Sequence, residues 1–189
     1  RMHTLLREYH PSQGKLNRPS FYDEFNANEH RMRELIGRLR QQTKRNEAEQ
    51  FLIDRAGSIF YHFEQVRRNF PREVYDRIPK NVVHGDFAPH NLVVDELPPN
   101  TKEVAAVLDF RPGIDIRSRD FIAGFHKPLE GQTTKEAIAF FTAEYQRAAR
   151  EAGYPLGEEE IAHIPEVYRM ARLRTLSWLA DNGVIARLT

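Results

Sequence analysis

One block of short β-branched runs, between residues 81 and 110, interrupts a chain whose other segments have helical periodicity. The runs read "NVV", "NLVVDE" and "EVAAVLDF". They are separated by the polar loop "HGDFAPH" and by the turn-forming residues "LPPN". This pattern predicts a few short strands, the last two of which form a hairpin, and it leaves helices to build the rest. The predicted fold class is therefore α+β and mainly α-helical.

Two long helices are predicted before the β block. Residues 28–40 place an apolar stripe on one helical face, with Asn26 or Asn28 as the expected N-cap. A second stripe predicts a helix over 47–69, followed by a connector between Pro71 and Pro79. The first stripe consists of Met32, Leu35, Ile36 and Leu39.

Helical spacing returns after the β block. Thr133 and Glu136 have the spacing of a capping box, which predicts the start of a helix. A last helix is expected to begin near Pro165, since proline suits the first helical turn, and to run to about Ala180. The aromatic residues Phe140, Phe141 and Trp178 are expected in the core.

Composition sets broad limits on what the chain can be. Its 189 residues suffice for a single domain over 1–189, and 40% apolar with 29% charged residues is typical of a globular protein. The net charge of +1 favours neither a nucleic-acid partner nor a membrane surface. The absence of cysteine excludes disulfides, thiolate chemistry and cysteine-based zinc sites. With no apolar run near the ~20 residues that span a bilayer, a cytoplasmic protein is expected.

Three side chains in the β block carry the groups that phosphoryl transfer requires. Asp86 and Asn91 share the loop after the first run, and Asp109 ends the last run. Transfer of a phosphoryl group needs a carboxylate that orients the acceptor hydroxyl and accepts its proton. It also needs hard oxygen ligands for Mg²⁺, which carboxylate and amide side chains provide.

The spacing of these residues resembles that of a known group of enzymes. The order is His84-Gly85-Asp86, four residues, Asn91, and then Asp109-Phe110 with Asp109 lying 18 residues after Asn91. This order is similar to the aminoglycoside phosphotransferase and choline kinase superfamily. The resemblance implies a protein-kinase-like large, C-terminal lobe in which a small β-hairpin carries the catalytic loop. It also implies ATP-dependent transfer of the γ-phosphate to a hydroxyl of an aminoglycoside, amino alcohol, homoserine-like or sugar acceptor.

The same resemblance implies roles for individual residues. Asp86 would be the catalytic base. Asn91 and Asp109 would be the Mg²⁺ ligands and thereby bind the ATP phosphates.

Three further residues would support these groups. His84 would brace the loop, Gly85 would allow a backbone turn that a side chain would block, and Asp120 would tie the loop down through backbone contacts. Asp120 lies eleven residues after Asp109, where about twelve is common in the family. Arg111 follows where glycine or an acidic residue is frequent, and we interpret it as a surface arginine or, alternatively, as a phosphate contact.

Two parts of a complete kinase are not found in the sequence. The glycines form no GxG cluster, and no strand lysine precedes the catalytic loop. The stretch "RMHTLLREYH" resembles the helix that follows the hinge in this family. We therefore expect the chain to be the C-terminal lobe without the nucleotide-clamping lobe, and to be inactive when isolated.

Two other functions remain open from the sequence. The first is a non-catalytic kinase-like module that binds a ligand or partner. The second is a metal-dependent hydrolase that uses His84, Asp86, His90 and Asp109, since mixtures of histidine and aspartate bind transition metals.

Overall fold

A computed structural model describes residues 18–97, 101–123 and 133–182. This part of the chain is mainly helical with two small antiparallel sheets, which confirms the predicted α+β class. Packing divides the chain into two compact units. The β unit comprises Arg18 and the described residues of Ile78–Pro165, and the helical unit comprises those of Pro19–Arg77 and Glu166–Thr189. The expectation of a single domain over 1–189 stays a prediction.

The helical unit is built on two long helices, α1 (Phe21–Gln41) and α2 (Glu47–Asn69), and the short helix α3 (Arg72–Arg77) follows. The predicted second helix is thus confirmed at both ends. The apolar stripes of α1 and α2 are buried, except for the half-buried Leu35, and the rings of Phe25 and Phe63 pack 5.1 Å apart between centroids. Each aromatic side chain buried in this way contributes about 1.5–3 kcal/mol.

Helix α1 begins earlier than the sequence pattern predicted, and the expected caps at Asn26 and Asn28 are wrong. Ser20 is the N-cap, and its hydroxyl accepts a hydrogen bond from the Asp23 backbone N–H at 3.1 Å. The buried aromatic residue Phe21 extends the apolar stripe upstream, so both asparagines lie inside the helix. The hydrogen bond from the Ser20 hydroxyl lowers the pKa of the Asp23 carboxyl.

The β unit contains four strands in two antiparallel pairs: β1 (Asn81–Val83), β2 (Leu92–Leu97), β3 (Thr101–Val107) and β4 (Gly113–Asp115). The predicted hairpin is confirmed: β2 pairs with β3, with Leu92 opposite Val107 at one end and Leu97 opposite Thr101 at the other. Residues 98–100 of the predicted turn lie outside the described residues.

Strand β4 was not predicted from the sequence. It pairs with β1, with Val83 opposite Gly113. This pairing brings the chain back from the hairpin to the start of the loop that follows β1. Residues 109–111 therefore lie beside His84, to which the Arg111 backbone N–H donates a hydrogen bond at 3.0 Å.

Three helices complete the β unit: α4 (Ser118–Ala123), α5 (Thr134–Glu151) and α6 (Glu158–Ala162). The capping box of Thr133 and Glu136 is present at the start of α5, as predicted. The buried Glu160 accepts a hydrogen bond from the Ser118 backbone N–H at 2.8 Å, so α6 holds the start of α4 in place.

The last helix, α7 (Ile164–Asp181), confirms the helix predicted from Pro165. The predicted core positions of Phe140 and Trp178 are wrong, since 47% and 59% of their surfaces are exposed. Helical spacing placed them on a helix but did not show which face packs. In the described ranges no helix combines the length and apolarity needed to cross a bilayer. The N-terminal stretch "RMHTLLREYH" lies outside the described residues.

Candidate active site

The loop that carries the predicted catalytic residues (residues 84–91, called the catalytic loop below) leaves the buried end of β1. It is anchored by a carboxylate that comes much later in the chain. Asp120, on α4, is almost fully buried. Its two oxygens accept hydrogen bonds from the backbone N–H groups of His84 at 2.6 Å and Gly85 at 3.0 Å. Hydrogen bonds to an ionised acceptor are about twice as strong as neutral ones. Asp120 therefore fixes the point at which the loop begins.

The imidazole of His84 is fully buried, and both of its nitrogens are engaged. The Asp86 backbone N–H donates to Nδ1 at 3.2 Å, so Nε2 carries the hydrogen and donates to the Leu108 carbonyl at 3.0 Å. The ring thus joins the catalytic loop to the end of β3. With both nitrogens occupied, His84 braces the loop and has no nitrogen left to ligate a metal.

Gly85 has a backbone conformation and surroundings that exclude a side chain. Its φ of +81° lies in the left-handed region, and an added Cβ would lie 2.2 Å from the Arg111 carbonyl oxygen. The same oxygen accepts a hydrogen bond from Arg18 Nη1 at 2.8 Å. Sequence reasoning missed Arg18, which lies far from Arg111 along the chain and belongs to no motif.

Asn91 closes the catalytic loop onto Asp86. The Asn91 side-chain amide donates from Nδ2 to the Asp86 carbonyl at 2.8 Å, which leaves its Oδ1 available to a ligand. The Asp86 main chain is thereby held on both sides, by His84 and by Asn91. Within the described residues no group donates a hydrogen bond to the half-buried Asp86 carboxylate.

Asp109 lies next to Asn91 across the hairpin. The Leu108 backbone N–H donates to the Asn91 carbonyl at 2.7 Å, and Asp109 follows directly. Asp109 has a φ of +51°, a conformation that non-glycine residues rarely adopt and that aspartate tolerates better than most. Such strained positions cluster at functional sites.

The Asp109 turn (residues 109–111) is closed by an ion pair that the sequence did not predict. Arg111 donates from Nη2 to Asp109 Oδ2 at 2.7 Å and from Nε to Asp109 Oδ1 at 3.2 Å. The hydrogen bonds to Asp109, followed by the negative charges of Asp109 and Asp86, raise the pKa of Arg111. The Arg111 side chain is 56% exposed, as expected for a surface arginine, but that interpretation did not include the ion pair with Asp109.

The donor groups of this site fit a magnesium ion. Asn91 presents an amide oxygen, and Asp109 presents a carboxylate on the adjoining strand end. Mg²⁺ prefers such hard oxygens and usually takes only one or two protein ligands, with water and substrate phosphates completing its octahedron. Magnesium at Asp109 would compete with the Arg111 guanidinium for the carboxylate.

A self-sufficient transition-metal site is not found here. In residues 18–97, 101–123 and 133–182, no group of three or more histidine, aspartate or glutamate side chains is arranged to hold a metal ion. His84 uses both of its ring nitrogens within the protein. The geometry therefore gives no support to the metal-dependent hydrolase hypothesis.

A cavity of about 320 Å³ adjoins the catalytic loop. Its walls come from loop residues that directly follow Asp86, from α4 and from α5, and they are almost entirely apolar. The rings of Phe121 and Tyr145 stack 4.6 Å apart in this wall, and burial raises the pKa of the Tyr145 phenol. Glu144 contributes the carboxylate among the lining residues.

Comparison with protein families identifies the chain. The phosphotransferase enzyme family (APH) matches residues 1–112, which is more than half of the sequence. The chain belongs to this family. The matched region contains Asp86, Asn91 and Asp109 and ends before Asp120. Searches of curated proteins and of solved structures found no match.

Proposed function

We propose that this member of the phosphotransferase enzyme family transfers the γ-phosphate of ATP to a hydroxyl of a small molecule. The observation that carries the proposal is that Asn91 is hydrogen-bonded both to Asp86 and to Leu108, the residue directly before Asp109. Asn91 bonds to the Asp86 carbonyl through its side chain and to Leu108 through its backbone. One asparagine thus joins the main chain at Asp86, whose carboxylate suits a base, to the main chain next to Asp109, whose carboxylate suits a metal ligand.

Asp86 is the catalytic base in this proposal. Its carboxylate accepts the proton of the acceptor hydroxyl as the hydroxyl oxygen bonds to the γ-phosphorus, and the bond from that phosphorus to the β–γ bridging oxygen breaks, so that ADP leaves. The contacts of His84 and Asn91 with the Asp86 main chain keep the carboxylate in place. This removes the need to order the loop during the reaction.

Asn91 and Asp109 are the residues that would hold Mg²⁺ and so bind the nucleotide phosphates. When bound, the ion neutralises charge on the phosphate oxygens. The chain turns at Asp109, which has a positive φ, and 48% of the Asp109 side chain is exposed, so its carboxylate is accessible to a ligand. The fixed side-chain amide of Asn91 leaves the oxygen Oδ1 for the same ion.

The cavity beside the loop supports a particular kind of acceptor. Its wall contains several aromatic rings and offers few hydrogen-bonding groups. A sugar or an aminoglycoside would leave many hydroxyl groups unpaired there, and each unpaired buried polar group costs about 1–3 kcal/mol. An amino alcohol with an apolar body suits the cavity better, because its ammonium group can lie over aromatic faces and near Glu144. The aromatic rings in the wall are those of Phe87, Phe121, Phe141 and Tyr145.

The proposal also includes the expected kinase-like lobe, the location and the partners of the protein. The catalytic loop between β1 and a hairpin, followed by helices, supports a protein-kinase-like large lobe. A cytoplasmic location and the absence of nucleic-acid or membrane partners remain predictions from composition. The competing function, a non-catalytic module, would bind ligand at the same loop without transferring phosphate.

The experiment that separates these functions uses γ-³²P-ATP and the full-length natural protein. We expect labelled product from an amino alcohol, and loss of at least about 10²-fold in kcat for Asp86→Asn, since general base catalysis contributes about 10²–10⁴-fold. Melting of the variant should be unchanged, because no described group hydrogen-bonds the Asp86 carboxylate. ATP binding without transfer would favour the non-catalytic module. Equal activity of the variant and the wild type would remove Asp86 from the mechanism.

The cavity has its own test. Phe141→Ala removes an aromatic wall and should raise KM for an amino alcohol while leaving KM for ATP unchanged. Phe140→Ala is the matched control, because Phe140 precedes Phe141 on α5, is 47% exposed and does not line the cavity. A rise in both KM values would show that the substitution does not act on acceptor binding alone, and would contradict the cavity as the acceptor site.

A further inference from the structure

The main chain of Arg111 is fixed beside the catalytic loop by three contacts. Its N–H donates to the His84 carbonyl at 3.0 Å, and its carbonyl accepts from Arg18 Nη1 at 2.8 Å. The same carbonyl lies so close to Gly85 that a Cβ there would not fit. The guanidinium therefore moves about an attachment point that the fold holds in place.

The side chain of Arg111, by contrast, is held only by Asp109 among the described residues. Both oxygens of the Asp109 carboxylate accept hydrogen bonds from it, at 3.2 and 2.7 Å. A divalent cation that takes the lone pairs facing the guanidinium displaces these bonds, and its positive charge repels the guanidinium. The guanidinium and the cation thus compete for the same two oxygens.

The pair is suited to exchange because it is exposed. About half of each side chain is in contact with solvent, 56% for Arg111 and 48% for Asp109. Ion pairs in such positions are weak, since water and salt screen them. A planar guanidinium matches two oxygens of a phosphate as well as those of a carboxylate.

We propose that Arg111 is a positioning residue which holds the Asp109 carboxylate until a divalent cation takes it, and which then pairs with a phosphate of the bound nucleotide. This inference rests on the proposed function, because it takes Asp109 as the cation ligand. It assigns Arg111 two successive partners while its main chain stays fixed. It also predicts that Arg111 weakens cation binding in the absence of nucleotide.

The test titrates Mn²⁺ alone into the ¹⁵N-labelled chain and follows paramagnetic broadening of the Asn91 side-chain amide and the Phe110 backbone amide. Arg111→Gln should bind Mn²⁺ about two- to fivefold more tightly than the wild type, the range that matches loss of one exposed competing ion pair. Arg111→Lys keeps the charge but not the bidentate contact, so its affinity for Mn²⁺ should lie between those of the wild type and Arg111→Gln.

Arg147→Gln is the matched control. Like Arg111, Arg147 donates two hydrogen bonds to carboxylate oxygens from an exposed position, at 2.8 Å to Glu144 and 2.9 Å to Glu151, but it lies on α5. Its loss should leave Mn²⁺ binding unchanged. A role of Arg111 in loop stability alone would not tighten cation binding.

A second readout adds MgATP. Arg111→Gln should bind MgATP more weakly than the wild type even though it binds Mn²⁺ more tightly, and Arg111→Lys should recover part of the loss. Weaker binding of both ligands, or unchanged Mn²⁺ affinity, would overturn the proposal for Arg111.

The outcomes distinguish this inference from the proposed function. Asp109→Asn should abolish the Mn²⁺ broadening near Asn91. If it does so while Arg111→Gln has no effect, the metal site stands and only the role of Arg111 fails. If Mn²⁺ broadens neither amide in any variant, the metal site of the proposed function fails together with this inference.

Discussion

The catalytic loop and the Asp109 turn are hydrogen-bonded to each other, yet they are held by opposite means. The loop begins at a buried histidine whose backbone is tied to the buried carboxylate of Asp120. The turn begins with the exposed carboxylate of Asp109, which is held by the guanidinium of Arg111, two residues later. A base has to be placed accurately before the substrate arrives, whereas a cation ligand has to exchange partners. The buried contacts of the Asp120 carboxylate suit the placement of a base, and the exposed contacts of the Asp109 carboxylate suit the exchange of a cation.

Removal of the buried carboxylate should have the largest effect. Asp120→Ala leaves the backbone N–H groups of His84 and Gly85 buried without an acceptor, and each such group costs about 1–3 kcal/mol. We expect a loss of about 2–5 kcal/mol in the free energy of unfolding, measured by urea denaturation. Asp120→Asn keeps one oxygen acceptor and should lose less. A loss below about 1 kcal/mol would show that water replaces the carboxylate.

The Gly85→Ala substitution should cause the next largest loss of stability. The left-handed φ costs a residue with a Cβ about 1–2 kcal/mol, and the contact with the Arg111 carbonyl adds to that cost. Gly57→Ala is the control, since Gly57 lies within α2 and nothing is within 4 Å of an added Cβ. That change should stabilise the protein by about 0.5–1 kcal/mol. Equal melting temperatures for the two variants would contradict the strained turn at Gly85.

Changes in the Asp109 turn should affect stability far less than ligand binding. Asp109→Asn removes an exposed ion pair and keeps a residue that tolerates positive φ, so the melting temperature should shift by at most about 3 °C. Phosphate transfer should nevertheless be lost. A shift as large as that of Asp120→Ala would mean that the two regions are not held differently.

A change in salt concentration should have the smallest effect, and it should affect the Asp109 turn but not the catalytic loop. Raising ionic strength from about 0.1 M to about 1 M shortens the screening length from about 10 Å to about 3 Å. The Arg111 Nε–H signal should broaden or shift as its exposed pair weakens. Hydrogen exchange of the His84 backbone N–H should stay slow, because Asp120 is buried. Parallel changes at both sites would remove the contrast.

Sequence reasoning placed the elements better than it placed their contacts. The helix over 47–69, the hairpin and the capping box of Thr133 and Glu136 all follow from local periodicity or short spacing, and all are confirmed. The cap of α1 was wrong because the aromatic residues near Phe21 are buried by contacts that the local pattern does not reveal. Strand β4 was missed because three residues carry too little pattern to be recognised.

For the candidate site, the positions of Asp86, Asn91 and Asp109 could be read from spacing, and their roles remain a proposal. Arg18 could not be found, since a hydrogen bond to the Arg111 carbonyl, far along the chain, links it to the site. The pairing of Arg111 with Asp109 also escaped sequence reasoning. Neighbouring charges pair only if the backbone turns, and the turn depends on the φ of +51° at Asp109.

The sequence by itself determined the order of the long helices and the hairpin, and the phosphotransferase family, because periodicity and motif spacing are properties of neighbouring residues. Only the tertiary structure decided that Asp120 anchors the catalytic loop, that β4 returns the chain to His84 and that an aromatic cavity adjoins the loop. These features join residues far apart in the chain, and such contacts form only when the packed elements bring those residues together.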